Sequence, residues 1–268
     1  MRQRLPDSVA RTVDHYLVLL DRHAAPRPHG LYLVGSLALG DYQEGRSDID
    51  FVALMPALPT PEGLDRLERV HAELAEPGMP PFDGCYLDVA QLGATPTHPL
   101  TVPFSLDGRL RRAEVCFDAN PVTWFCLARH GVALLGPAPA ELPIGLDQAG
   151  LRRFLAGNLE SYWRGWIARG RQALAGKGAG EPVAAGTVAW GVLGIARIDC
   201  TLRTGRIVSK SAAGSWGLEA YPACWRDVLE TALAARQGRI DELPAAAAGR
   251  ALDFMQVALD MALPESRG

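Results

Sequence analysis

A short apolar run over residues 31–34 stops at Gly35-Ser36, and after a spacer of eleven residues Asp48-Ile49-Asp50 opens a second apolar run. This spacing constrains the chain more than any other feature. The first run reads as a buried strand ended by a Gly-Ser turn. The second reads as a strand on which Asp48 and Asp50 share a face while Ile49 and Phe51 point into the core, because strand side chains alternate. Two carboxylates side by side repel unless a divalent cation lies between them, and hard oxygen ligands of this kind suit Mg²⁺. Each half alone is commonplace, since Gly-Ser is an ordinary turn and Asp-x-Asp an ordinary solvated loop. A calcium loop is excluded, because the further Asp/Asn and Gly it needs are absent. The specific signal is the whole series: strand, Gly-Ser, spacer, Ser47-Asp48-Ile49-Asp50, strand.

The rest of the chain sets the frame for that motif. With 268 residues, 48% of them apolar, it can bury a full core and is expected to form two domains. No stretch approaches a membrane span, and the first seven residues lack the apolar segment of a signal peptide, so a cytoplasmic protein without a membrane partner is expected. The five cysteines (85, 116, 126, 200 and 224) are odd in number and scattered, which reads as buried free thiols in a reducing compartment. The six histidines show no metal-ligand spacing, so zinc is not expected. A net charge of −3 offers no basic surface for nucleic acid and better suits a small cationic substrate. The reading favours a monomer.

Hydrophobic periodicity places a helix over 8–23 and another over 61–75, with Pro61 near its start. Leu64, Leu67, Val70, His71 and Leu74 fall on one stripe of the second helix, which makes His71 a core histidine. Residues 103–117 alternate loosely and suggest a strand pair. Pro121 opens a helix that Gly131 ends, and a short apolar element follows. Strands interleaved with helices give an α/β domain over 1–143. Beyond Pro143 the pattern turns helical. Leu151, Phe154, Leu155, Leu159, Tyr162, Trp163 and Trp166 follow the 3.6-residue period, and their aromatics read as core packing. A flexible Gly-rich loop over 176–182 precedes helices expected near 183–202, 211–221, 223–237 and 245–262.

The motif around Val34-Gly35-Ser36 and Asp48-Ile49-Asp50-Phe51 resembles that of the DNA polymerase β-like nucleotidyltransferases. The resemblance implies an α+β/α architecture: a polymerase β-like nucleotidyltransferase α/β domain (1–143) followed by a C-terminal helical bundle (144–268). It also implies metal-dependent transfer of a nucleotidyl group from a nucleoside triphosphate. Such a site normally takes a third carboxylate from a neighbouring strand. Residues 85–90 are apolar and β-prone and hold one acid, Asp88, which is the expected third member. Asp83 and Asp107 are weaker rivals, since each adjoins a Gly and looks like a turn residue.

The C-terminal half narrows the likeness. Leu193-Gly-Ile-Ala-Arg197, Thr204-Gly205-Arg-Ile-Val-Ser209-Lys210, Ala212-Ala213 and Trp216 resemble the helical domain of the aminoglycoside adenylyltransferases of the streptomycin/spectinomycin type. Leu127-Ala-Arg-His-Gly-Val-Ala-Leu-Leu-Gly-Pro137 is similar to their interdomain region. The resemblance implies that Asp48 and Asp50 bind Mg²⁺. Arg197 and Lys210 would contact the ATP phosphates, and Gly35, Ser36 and Ser47 would form the phosphate-proximal turn. Asp88 falls where the family places its catalytic Glu, thirty-eight residues after Asp50, and one methylene shorter it could serve as base, as metal ligand or as both. Streptomycin-modifying members carry a Trp and an Asp shortly before the helix of Arg197. Here residues 176–183 hold only Glu181, so spectinomycin or another hydroxylated cation is the expected acceptor. Three readings stay open: an antibiotic adenylyltransferase, a nucleotidyltransferase acting on another metabolite or a protein, and an inactive nucleotide-binding regulatory or toxin–antitoxin partner.

Overall fold

A computed structural model describes residues 5–263, so the first four residues of the segment read against a signal peptide lie outside it. Two compact units divide at Leu151/Arg152, inside a helix and not at Pro143.

The first unit starts with helix α1 (Asp7–Arg22), whose stripe Val9, Val13, Tyr16, Leu19 and Leu20 is buried. Strand β1 (Gly30–Leu33) runs into the single turn α2 (Gly35–Ala38), and β2 (Ile49–Met55) follows. Helix α3 (Pro61–Leu74) begins with Pro61 in its first turn, and the Thr60 hydroxyl accepts from the Gly63 N–H. Then comes β3 (Phe82–Asp88). The loose alternation over 103–117 resolves into β4 (Phe104–Leu106) and β5 (Arg109–Arg111). Asp107 and Gly108 join them with φ of 51° and 70°, the left-handed pair that a tight two-residue hairpin requires. Helix α4 (Pro121–His130), capped by the Asn120 side chain and ended at Gly131, leads into β6 (Val132–Leu135).

The strands form one sheet in the order β5-β4-β3-β2-β1-β6. Only β2 and β3 are parallel, because α3 carries the chain back between them. Ile49, Phe51, Ala53, Met55, Phe82 and Tyr86 share one core with the apolar stripes of α1 and α3. Within it the Tyr86 hydroxyl shares hydrogen bonds with the Tyr16 hydroxyl (2.9 Å) and with His71 Nε2 (2.7 Å). His71 is a core histidine, as expected, and burial lowers its pKa to about 3.

The second unit is helical. Helix α5 (Gln148–Asn158) continues through a π-helical turn at Leu159–Trp163 into α6 (Arg164–Leu174). Helix α7 (Ala185–Thr204) ends on the left-handed Gly205, and α8 (Lys210–Ala220), α9 (Arg226–Arg236) and α10 (Ala245–Ala262) complete the bundle. Two details differ from the sequence reading. Val183 lies in strand β7 (Pro182–Ala184), paired with β8 (Glu242–Pro244), so α7 starts two residues later than expected. Trp163 is buried against Gly194, but Tyr162 is 45% and Trp190 38% exposed, so this aromatic group is only partly core. Four of the free cysteines are buried and Cys224 is exposed. Among the described residues no helix is long and apolar enough to cross a membrane.

Candidate active site

The end of the sheet where β1 finishes and β2 begins gathers the motif. The Val34 N–H donates to the Asp50 carbonyl at 2.9 Å, which brings the turn after β1 against the start of β2. Gly35 has φ of 57°, and a Cβ there would lie 1.8 Å from Asp50 Oδ2. Only glycine fits: the conformation is left-handed, and the Asp50 carboxylate occupies the space any side chain would need. The Ser36 hydroxyl is buried and has no hydrogen-bond partner among the described residues. Ser47 instead closes its own loop, its Oγ accepting from the Gln43 N–H at 3.1 Å and its N–H donating to the Gln43 carbonyl at 2.9 Å. Asp48, immediately before β2, is exposed, and Asp50 is half-buried.

The structure does not bring Asp88, the expected third carboxylate, to Asp50. In the parallel β2–β3 pair, Asp88 stands opposite Met55, at the far end of the strands from Asp50. Five residues of strand separate it from the level of Asp50, about 16 Å. It also lies on the face of Met55 and Tyr86, the one packed against α1 and α3. Its carboxylate caps the following 3₁₀ turn, accepting from the Ala90 N–H at 2.8 Å. The residue opposite Asp50 is Asp83. Register partners in neighbouring strands point to the same face, so Asp83 and Asp50 stand side by side. Asp83 is 6% exposed, and its Oδ1 accepts from the Asp107 N–H at 2.9 Å. Burial pushes its pKa up to about 7, and the nearby charges of Asp107, Asp48 and Asp118 act in the same direction, against the lowering effect of the Asp107 hydrogen bond.

A signal for Asp83 was present in the sequence. Two strands joined by a helix are parallel, and parallel strands put their first residues at the same end. An acid at the start of β3 therefore matches one at the start of β2, whereas an acid at its end does not.

Asp48 and Asp50 fit a hard divalent cation of the Mg²⁺ kind, which takes one or two carboxylates and fills its shell with water and substrate phosphate. The Asp50 carboxylate is held over Gly35, and the like charges that add to burial in raising Asp83 are what such a cation would relieve. Among the described residues no three acids, histidines or cysteines are grouped closely enough to form a complete protein cage.

Arg197 and Lys210 belong to the second unit. Arg197 is half-buried on α7, and Lys210 opens α8 directly after the Ser209 cap.

Fold and acid pair together define a nucleotidyltransferase, and residues 20–80 match the nucleotidyltransferase domain family. Residues 171–260 match a second family model, the aminoglycoside adenylyltransferase C-terminal domain. With both matches in order on one chain, the protein belongs to the aminoglycoside nucleotidyltransferases. Among solved structures it is similar to the spectinomycin adenyltransferase AAD(9) from Enterococcus faecialis, solved with ATP and spectinomycin. The TM-score is 0.70 at 16% identity, over 94% of this chain and 99% of that one, a likeness of fold. No curated protein sequence matches the chain.

Proposed function

We propose that this enzyme transfers AMP from ATP to a hydroxyl of an aminocyclitol or aminoglycoside antibiotic, spectinomycin-like in preference to streptomycin. The observation that carries the reading is the pairing of Asp50, seated over Gly35, with Asp83 in register beside it. The acceptor preference rests on the resemblance: residues 176–183 lack the Trp and Asp of the streptomycin-modifying members. The AAD(9) structure, solved with ATP and spectinomycin, supports the same choice.

An acceptor hydroxyl that attacks the α-phosphorus must lose its proton as the new P–O bond forms and pyrophosphate leaves. Asp83 takes that proton. Burial holds the Asp83 carboxyl above the usual carboxylate range, which makes it a stronger proton acceptor than an exposed aspartate. Asp48 and Asp50 would hold Mg²⁺, which when bound would supply charge stabilisation on the phosphate oxygens. Ser36 donates its unpartnered hydroxyl to a phosphate oxygen, while Gly35 and Ser47 shape the turn. Arg197 and Lys210 neutralise charge that grows on the triphosphate. Asp107 and Asp118, near Asp83, form an acidic surround suited to the ammonium groups of the acceptor, so acceptor binding weakens as salt rises. Five free cysteines fit a reducing cytosol.

Pyrophosphate release from Mg²⁺-ATP with a panel of aminocyclitols and aminoglycosides tests the reading. Release with spectinomycin but not streptomycin is expected. Turnover with none of them moves the acceptor to another metabolite or a protein. Arg197→Ala and Lys210→Ala should each lower kcat/KM for ATP by about 2–4 kcal/mol of transition-state stabilisation. Unchanged values in both variants would remove these two residues from the site.

A further inference from the structure

The helical unit contains a buried charge that the chemistry above does not use. Asp199, on α7, is fully buried. Its Oδ2 accepts from the Tyr221 hydroxyl at 2.7 Å and its Oδ1 from Arg203 Nε at 2.8 Å. Both donors lead to α8. Tyr221 is the residue that ends α8, and the Arg203 guanidinium lies over the Trp216 ring of α8 at 5.7 Å. Trp216 meets Tyr221 edge-on at 5.6 Å, and Tyr221 meets Phe254 of α10 edge-on at 5.0 Å. One carboxylate thus holds the C-terminal half of α8 by two routes.

The other end of α8 carries Lys210. There the Ser209 hydroxyl accepts from the Ala212 N–H at 3.1 Å. Gly214 brings the helix close to its neighbours, since a Cβ on it would lie 2.6 Å from a Leu233 methyl and 2.8 Å from one of Leu193. A helix of eleven residues is a stiff rod about 16 Å long, so a shift at Tyr221 is delivered to Lys210.

An ion pair with one partner buried and the other, Arg203, 40% exposed adds little net stability. Its directional hydrogen bonds do impose one arrangement, because α8 must sit where both donors reach the carboxylate. We propose that Asp199 is a positioning residue for nucleotide transfer, acting through Tyr221 and Arg203 to seat α8 so that Lys210 meets the triphosphate. The proposal rests on the reading of Lys210 as a phosphate contact.

A double-mutant cycle separates this role from a structural one. Tyr221→Phe removes one arm at nearly constant volume. We expect it to lower kcat/KM for ATP about 5- to 20-fold, with KM for the acceptor unchanged, and to lower it less than about 2-fold when Lys210→Ala is already present. Equal losses in the two backgrounds would mean the network only holds the bundle together, and would overturn the proposal. If Lys210→Ala alone leaves ATP use unchanged, the phosphate reading of Lys210 fails, and Asp199 has nothing to position. Should Tyr221→Phe not fold, Asp199→Asn, which keeps the shape and removes the charge, enters the same cycle with the same two outcomes.

Discussion

Strands β2 and β3 carry opposite chemistry on their two faces. Toward α1 and α3, Phe51 and Phe82 stack with centroids 4.4 Å apart, and the polar tips of Tyr16, Tyr86 and His71 bond to one another in a dry interior. One residue along, on the other face, Asp50 and Asp83 stand in register and Asp48, Asp107 and Asp118 add like charge. Burial acts on both faces. On the first it keeps groups neutral: it lowers His71 and raises the Tyr16 and Tyr86 phenols. On the second it works against the charged form: it raises the Asp83 carboxyl, and the like charges of Asp107, Asp48 and Asp118 add to that. Residues that satisfy one another serve the fold, whereas residues left in conflict mark the chemistry.

The largest effect that could break this contrast comes from Asp50. Asp50→Ala should lower nucleotidyl transfer by about 10³-fold or more, the scale of several kcal/mol of metal-borne charge stabilisation, and Asp48→Ala should do likewise. Both variants should fold. Losing a like charge should leave the metal-free melting temperature unchanged or raise it. Near-normal turnover in either variant would remove that residue from the metal.

The second test sets Asp83 against Asp88. Asp83→Asn should cut kcat by about 10²–10⁴, the range for a general base. Asp88→Asn should change kcat less than about 2-fold, since asparagine caps a helical turn as well as aspartate does. The reverse pattern would return the base to Asp88 and require a different strand register.

That pair also shows what the sequence could and could not reveal. Gly35, Asp48 and Asp50 were legible because they are close in sequence and their spacing carries the geometry. The helices were legible from periodicity, including the His71 stripe. The third carboxylate depends on which residue of a strand some thirty positions away lies opposite Asp50, and local composition does not contain that. Asp83 sits beside Gly84 and so resembled a turn residue, while Asp88 lies inside an apolar run and so resembled a strand residue. The parallel register reversed the choice. The β7–β8 ribbon was hidden for a related reason: three-residue strands whose partners lie far apart in sequence leave no period to detect.

The two faces should also respond oppositely to pH in metal-free protein. Asp83, with its pKa pushed up to about 7, stays protonated in the fold while the unfolded chain ionises, so it costs stability as pH rises from about 4 to 7. His71, lowered to about 3, stays neutral in the fold while the unfolded chain is protonated below about 6.5, so its burial costs stability as pH falls. Each contributes at most about 1.4 kcal/mol per pH unit, and in the wild type the two slopes offset. Asp83→Asn should leave a stability that climbs with pH, and His71→Gln one that declines. Denaturant unfolding with a chelator at pH 4.5, 5.5 and 6.5 should separate the two variants by about 2–4 kcal/mol across the range. Profiles parallel to the wild type would show that neither group is held away from its ordinary pKa.

The smallest effect probes whether the faces are independent. Tyr86 is fully buried and its hydroxyl is the hub of the dry network, bonded to Tyr16 and to His71. The Nδ1 of His71 has no other partner among the described residues, so Tyr86→Phe would leave a buried imidazole without any bond seen here, together with an unpaired Tyr16 hydroxyl. Stranding buried polar groups costs about 1–3 kcal/mol, and removing a single oxygen opens little space, so a modest fall in melting temperature is expected with the fold intact. Turnover should stay at the wild-type level, because the Tyr86 side chain projects from β3 on the side opposite Asp83. A variant that kept its melting temperature but lost activity would show that the aromatic network sets the position of β3, and with it the separation of Asp50 and Asp83.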